Sequence, residues 1–219
     1  MPDPALSPTR EAILDAADRL LGRLGFKKTT LDDLARESGV GRRTIYLHFA
    51  SKEEVALASI DRVVERLVAR LETLAASDEP TPASLRAMLA ERVLFRVDAV
   101  RDYYHGLDEL FAALRPQYME RRERYFAAET ELFARVIRTG KKRGELTARE
   151  PDAAARVLLL ATNALLPYSL SPRELGARAR IARDVATLAD CLLDGLAARR
   201  PMRRNERTPA ARRRSAPVS

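Results

Sequence analysis

The chain has 219 residues, with 39 Lys plus Arg against 31 Asp plus Glu, a net charge of +8, and an apolar share of 46%. These values exclude a wholly disordered chain and allow one ordinary domain plus a smaller second one around a sizeable core. The basic excess points to an anionic partner, nucleic acid or a membrane surface, without choosing between them.

Leu, Ala, Arg and Glu dominate and no segment alternates cleanly, which predicts an all-α chain. A first helix is expected from about Thr9 to Leu24, with Ala12, Ile13, Ala16, Ala17, Leu20 and Leu21 as its apolar face and Gly25 as its stop. A second starts at Thr30 and ends before Gly39, and a short third covers Arg42 to Phe49. Ser51 opens a long fourth helix that ends near Ser77, at Ser-Asp-Glu-Pro-Thr-Pro. Further helices are expected over about 83–100, 103–114, 117–140, 152–166 and 172–199, with Pro116, Pro151, Pro167 and Pro172 among the breaks. After Arg200 apolar periodicity stops, and the Pro-, Arg-, Ser- and Ala-rich tail over 200–219 is expected to be disordered.

The charge is unevenly spread. Residues 1–52 hold 9 basic and 7 acidic groups, and residues 53–198 hold 22 and 23. The last 21 residues carry 8 Arg and one Glu, so most of the excess belongs to the tail. The N-terminus has no apolar h-region, and the longest apolar-rich run, Val157 to Leu166, is too short for a bilayer. One cysteine, Cys191, fits a reducing compartment, and with His48 and His105 it cannot complete a zinc set. A soluble, cytoplasmic protein is expected, with no membrane partner, cofactor or metal.

The informative segment runs from Thr30 to Phe49. The Thr30 hydroxyl can cap the second helix, and Asp32 and Asp33 place negative charge on its first turn. Ala35 is small where two helices must cross, and Gly39 stands where a chain leaves a helix through the left-handed region. Ile45 and Phe49 share the buried face of the third helix, which leaves Arg42, Arg43, Thr44, Tyr46, Leu47 and His48 opposite. Such side chains on a short helix suit a major groove, and a helix, a Gly-containing turn and a helix present them there. An ordinary αα-corner with a solvated basic face is the bland alternative.

Ala12-Ile13-Leu14, Ala17, Gly25-Phe26, Thr30-Leu31, Leu34-Ala35, Ser38-Gly39-Val40, Thr44-Ile45-Tyr46, His48-Phe49 and Ser51-Lys52-Glu53 stand in order and in register. By these residues the first quarter of the chain resembles the TetR (tetracycline repressor) family of bacterial transcription regulators. The resemblance implies an N-terminal three-helix, helix-turn-helix DNA-binding domain at 1–52, within a tetR-type domain of about 9–68 whose helix-turn-helix motif is 30–49. It also implies a C-terminal helical bundle at 53–199 for ligand binding and dimerisation. Gly41 departs from a frequent Ser and removes a hydroxyl cap, and Arg43 departs from a frequent small residue. Arg42 and Arg43 are the candidates for base readout, since Arg bonds guanine bidentately. Thr30, Thr44, Tyr46, His48 and Lys52 are candidates for phosphate contacts. Two alternatives stay open: Tyr46 packing beside the first helix, and Lys52 solvating the start of the fourth.

Of 12 aromatic residues, eight fall between Phe95 and Phe133. Phe95, Tyr103, Tyr104, Phe111, Tyr118, Phe126 and Phe133 are candidates to line a pocket for a small, mainly apolar effector, or else to fill the core. Tyr168 is a further candidate that the sequence cannot place. Asp98, Asp102, His105 and Glu109 would share a face on one continuous helix, a cation-binding pattern that competes with a solvated charged face. Stripes of Val157, Leu158, Leu160, Ala161, Ala164 and Leu165, and of Ile181, Val185, Leu188, Leu192 and Leu196, can pair with a second copy or else pack a single-copy core. The resemblance implies a homodimer through the last two helices, matched to a palindromic double-stranded DNA operator.

No phosphate loop, nucleophile elbow or HExxH motif occurs, and no catalytic residue is expected. The expected function is a sequence-specific regulator, a repressor released from its operator by an effector. The rival is a non-specific or architectural nucleic-acid binder driven by the Arg-rich tail.

Overall fold

Gly25 and Gly39 end the first two helices with positive φ values of 77° and 71°, a backbone region that only glycine enters without strain. They bound the segment that sets the architecture of the N-terminal end. The computed structural model describes residues 7–101 and 106–196, and helices alone make up its regular structure there. The expected disordered tail at 200–219 lies outside the described residues.

Helices α1 (Pro8–Leu24), α2 (Leu31–Ser38), α3 (Arg42–His48) and the first half of α4 (Lys52–Ala75) enclose the first core. Ile13, Leu14, Leu20, Leu34 and Ile45 are all at most 1% exposed in it. Arg62 on α4 is buried and donates to Glu11, Asp15 and Asp18 of α1 at 2.9, 2.7 and 2.7 Å, so α4 is tied to α1 by charge as well as by packing.

The rest of the chain packs α4 against α5 (Thr81–Ala99) and α6 (Leu107–Lys142), α5 against α9 (Arg178–Asp194), and α6 against α7 (Pro151–Thr162). A middle cluster around Val93, Leu110, Leu114 and Val185 and a distal cluster around Leu67, Met88, Phe133 and Leu159 hold these helices together.

Three sequence expectations are corrected. Pro116 does not divide two helices: α6 runs unbroken for 36 residues with Pro116 inside it. An interior proline forfeits one backbone hydrogen bond and costs about 3 kcal/mol. Here Leu107, Leu110 and Leu114 anchor one half of α6 in the middle cluster, and Leu132, Phe133 and Ile137 anchor the other in the distal cluster. At 1.5 Å per residue, α6 is roughly 54 Å long and reaches from the helix-turn-helix end to the far end.

The expected helix 152–166 stops at Thr162 and continues as two short 3-10 turns, Asn163–Leu165 and Pro167–Ser169. The expected helix 172–199 is divided between α8 (Pro172–Leu175) and α9, with Gly176 and Ala177 between them. The Ser171–Glu174 capping box closes α8 as a separate turn.

Candidate functional site

Thr30 and Asp33 form a reciprocal cap at the start of α2. The Asp33 N–H donates to Thr30 Oγ1, and the Thr30 N–H to Asp33 Oδ2, each at 3.1 Å. The Thr30 hydroxyl also donates to Asp33, and this bond lowers the carboxyl pKa. The hydroxyl read as a phosphate contact therefore already serves the cap. Ser38 Oγ donates to the Leu34 carbonyl at 2.5 Å, and Gly39 turns the chain into α3. Gly41 opens α3 with no side-chain cap, as its lack of a hydroxyl requires.

On α3, Ile45 is fully buried and Phe49 follows it into the core. Arg42, Arg43, Tyr46 and Leu47 face solvent, while Thr44 and His48 are half-buried. Tyr46 is 49% and Leu47 77% exposed, so Tyr46 does not pack beside α1 as one reading allowed. Leu47, which carries no polar group to mark it as a contact residue in the sequence, is the most exposed large apolar side chain among the described residues.

Arg42 Nη1 contacts both Asp32 oxygens at 3.0 and 3.1 Å, and its guanidinium lies 5.8 Å from the Tyr46 ring centroid. Arg43 has no ion pair among the described residues, so the two neighbouring arginines differ: Arg42 is oriented by the protein and Arg43 projects into solvent. Lys52 is turned inward. Its ammonium donates to the carbonyls of Phe26, Lys27 and Thr29 at 3.1, 3.3 and 3.1 Å and stacks on the Phe26 ring. Three acceptors exhaust its three N–H donors. It therefore organises the 25–29 loop, a correction to its reading as a phosphate contact.

A second feature is a cavity of about 80 Å³ between α4, α5, α6 and the segment after α7. Phe111, Tyr118 and Phe126 line it, as expected, and Tyr168 joins them across a 6.2 Å ring separation from Tyr118. Phe95 and Phe133 do not. Phe133 is fully buried in the distal cluster, and Phe95 packs against the same cluster under the Arg70 guanidinium. Tyr103 and Tyr104 lie outside the described residues.

The sequence reading missed the polar pole of this cavity. Arg92, 2% exposed, donates through Nε to Glu129 Oε2 at 2.6 Å and through its two other nitrogens to Thr162 Oγ1 and Asn163 Oδ1, both at 2.8 Å. Arg96 donates to the second oxygen of Glu129. Burial works to raise the Glu129 pKa, but Arg96 and Arg92 outweigh it and hold the carboxyl below its ordinary value. One signal was visible in the sequence: Thr162 and Asn163 interrupt the longest apolar run, and both face Arg92.

Asp98 and Glu109 are not on one helix and do not converge. Asp98 on α5 pairs with Arg178 at 2.5 and 2.8 Å, and Glu109 on α6 accepts the Lys27 backbone N–H at 2.7 Å. Asp102 and His105 lie outside the described residues. Among the described residues no group of three His, Cys, Asp or Glu side chains could hold a metal ion, and no helix is long and apolar enough to cross a membrane.

A family model described as "Bacterial regulatory proteins, tetR family" matches residues 13–59, which is α1 through the start of α4. The uncharacterized HTH-type transcriptional regulator YfiR of Bacillus subtilis (strain 168) is 30% identical over 160 residues, covering 69% of this chain and 74% of that one. The HTH-type transcriptional regulator TcmR of Streptomyces glaucescens is 39% identical over 92 residues, 42% of this chain and 40% of its own length. Among solved structures, NalD of Pseudomonas aeruginosa, described as the secondary repressor of the MexAB-OprM multidrug efflux pump, superimposes with a TM-score of 0.58. It is 26% identical, over 86% of this chain and 95% of that one.

Proposed function

Since this chain belongs to the tetR family of bacterial regulatory proteins, we propose that it is a cytoplasmic, non-enzymatic transcription regulator. It binds a palindromic DNA operator as a homodimer, and a small-molecule effector releases it. The observation that carries this reading is the division of α3 into a fully buried Ile45 side and an exposed Arg42, Arg43, Tyr46 and Leu47 side. A rigid short helix with that face suits a major groove, where arginine bonds guanine and an apolar side chain meets a thymine methyl. Arg42 and Arg43 read bases, with Arg42 pre-oriented by Asp32. Thr44, Tyr46 and His48 contact the backbone, while the Thr30–Asp33 cap fixes the start of α2. The description of NalD as a repressor supports the sign of regulation.

Dimerisation is supported by the outer face of α7, where Val157 is 54% and Leu160 47% exposed, with the exposed Ala153 in the same stripe. α9 packs beside α7, but its expected stripe does not extend that face: Ile181 and Val185 are buried in the subunit's own middle cluster, and Leu192 packs against the distal one. Two such subunits place their α3 helices about 34–36 Å apart, one turn of DNA. The cavity supplies the effector site: a ligand that binds only one arrangement of α6 shifts the population away from the operator-competent state.

Footprinting of the full chain on DNA upstream of its own gene and its neighbours, with sedimentation of the complex, tests the reading. Protection of a two-fold symmetric site by a dimer is the expected outcome. Uniform, sequence-independent binding would replace it with the architectural reading.

A further inference from the structure

Three arginines and one glutamate line the cavity: Arg92, Arg96, Arg122 and Glu129. Glu129 accepts from Arg92 on one oxygen and from Arg96 on the other, so its single negative charge is already matched by two guanidinium groups. Arg122 has no carboxylate partner among the described residues. It stacks on Tyr168, 5.1 Å from the ring centroid, and donates to the Tyr168 hydroxyl at 3.0 Å. Its remaining N–H groups are uncommitted. Tyr118, between Phe111 and Tyr168, makes no hydrogen bond through its hydroxyl among the described residues. Burial pushes its pKa up to about 12, so it stays a neutral O–H donor. The nearest other charges are already matched: Arg121 pairs with Glu54 and Asp61, and Tyr125, which also lines the cavity, commits its hydroxyl to Asp61.

We infer that the cavity takes an amphipathic carboxylate, with its anionic head between Arg122, Arg96 and Tyr118 and an apolar body of one ring or a short branched chain along Phe111, Phe126 and Leu110. This inference rests on the cavity being the effector site proposed above. An unmatched cationic excess in an otherwise apolar cavity is costly, and a carboxylate that accepts charge-assisted bonds from arginine and tyrosine removes the cost. A cationic ligand would add to the excess. A neutral ligand would leave it standing.

Calorimetric titration of the full chain with three probes of equal body (4-ethylbenzoate, 4-ethylbenzamide and 4-ethylbenzylamine) tests this. The carboxylate is expected to bind at least about tenfold more tightly than the amide, the size of one charge-assisted hydrogen bond, with the amine weakest. In Arg122→Met that preference is expected to fall towards parity while the melting temperature stays close to that of the parent chain, and Arg122→Lys is expected to restore part of it. Equal or tighter binding of the amide or amine, or no binding of any probe at millimolar concentration, would overturn the ligand class. Operator affinity measured separately by fluorescence anisotropy distinguishes the two readings. A carboxylate that binds without releasing DNA upholds the ligand class and sinks the proposed effector coupling.

Discussion

The backbone N–H of Lys27 is held by the Glu109 carboxylate at 2.7 Å. Lys27 lies in the loop that leads into α2, and Glu109 lies in the first turn of α6, between the cavity-lining Leu107 and Leu110. Lys52 grips three carbonyls of the same loop from the start of α4. Under the proposed effector coupling, a ligand that displaces the N-terminal half of α6 would pull on the segment that leads into α2. Glu109→Ala is expected to leave ligand and operator affinities near parental values when each is measured alone, and to weaken their coupling by about 0.5–2 kcal/mol. Operator titrations with and without saturating ligand measure it; an unchanged coupling would move the transmission elsewhere.

Arg43 has no ion pair among the described residues, whereas Arg42 is set by Asp32. Arg43→Ala is expected to cost about 1–3 kcal/mol on the operator and to relax preference at one position per half-site. Anisotropy titrations against single-base operator variants read both effects. Equal loss on operator and scrambled DNA would assign Arg43 to the phosphate backbone.

Leu160 is 47% exposed on α7. In a monomer, Leu160→Arg at an exposed site changes stability by less than about 0.5 kcal/mol. In the proposed dimer it places two like charges in an apolar interface. Analytical ultracentrifugation is expected to show the parent as a dimer and the variant as a folded monomer. A parent chain that sediments as a monomer at micromolar concentration would contradict the interface.

Glu129 is buried, and its carboxyl is held below its ordinary value because Arg96 and Arg92 outweigh the effect of burial. A depressed carboxyl contributes stability above its unfolded pKa, about 4.3, and loses it as pH falls through the folded value. Glu129→Gln is expected to cost about 3–5 kcal/mol at neutral pH, because it strands two buried or half-buried guanidinium groups. The gap to the parent chain should narrow as pH falls below the unfolded value of about 4.3 and close once it passes the depressed folded value, where the parent also loses the charge. Urea melts across that range give the test, and parallel curves would show that the pair contributes no pH dependence.

The helix-turn-helix was legible in the sequence because its information is local. The Thr30–Asp33 cap, the positive-φ Gly39 and the Ile45–Phe49 face all act within about a dozen residues. Each is set by backbone sterics or helical period before any distant contact forms. The helical class and the apolar faces of α1 and α9 followed from the same periodicity.

Only the tertiary structure decided the rest. Phe133 and Phe111 are the same residue type on the same helix, yet one fills the core and the other lines a cavity. What separates them is which helices cross at each point. Lys52 reads as a surface cation until the loop folds three carbonyls around it. Arg92 finds Glu129 and Thr162 from 37 and 70 residues away. A charged side chain stays buried only where its partners arrive with it. The sequence alone therefore determined the presence of a DNA-reading element. The chemistry of the cavity came from packing.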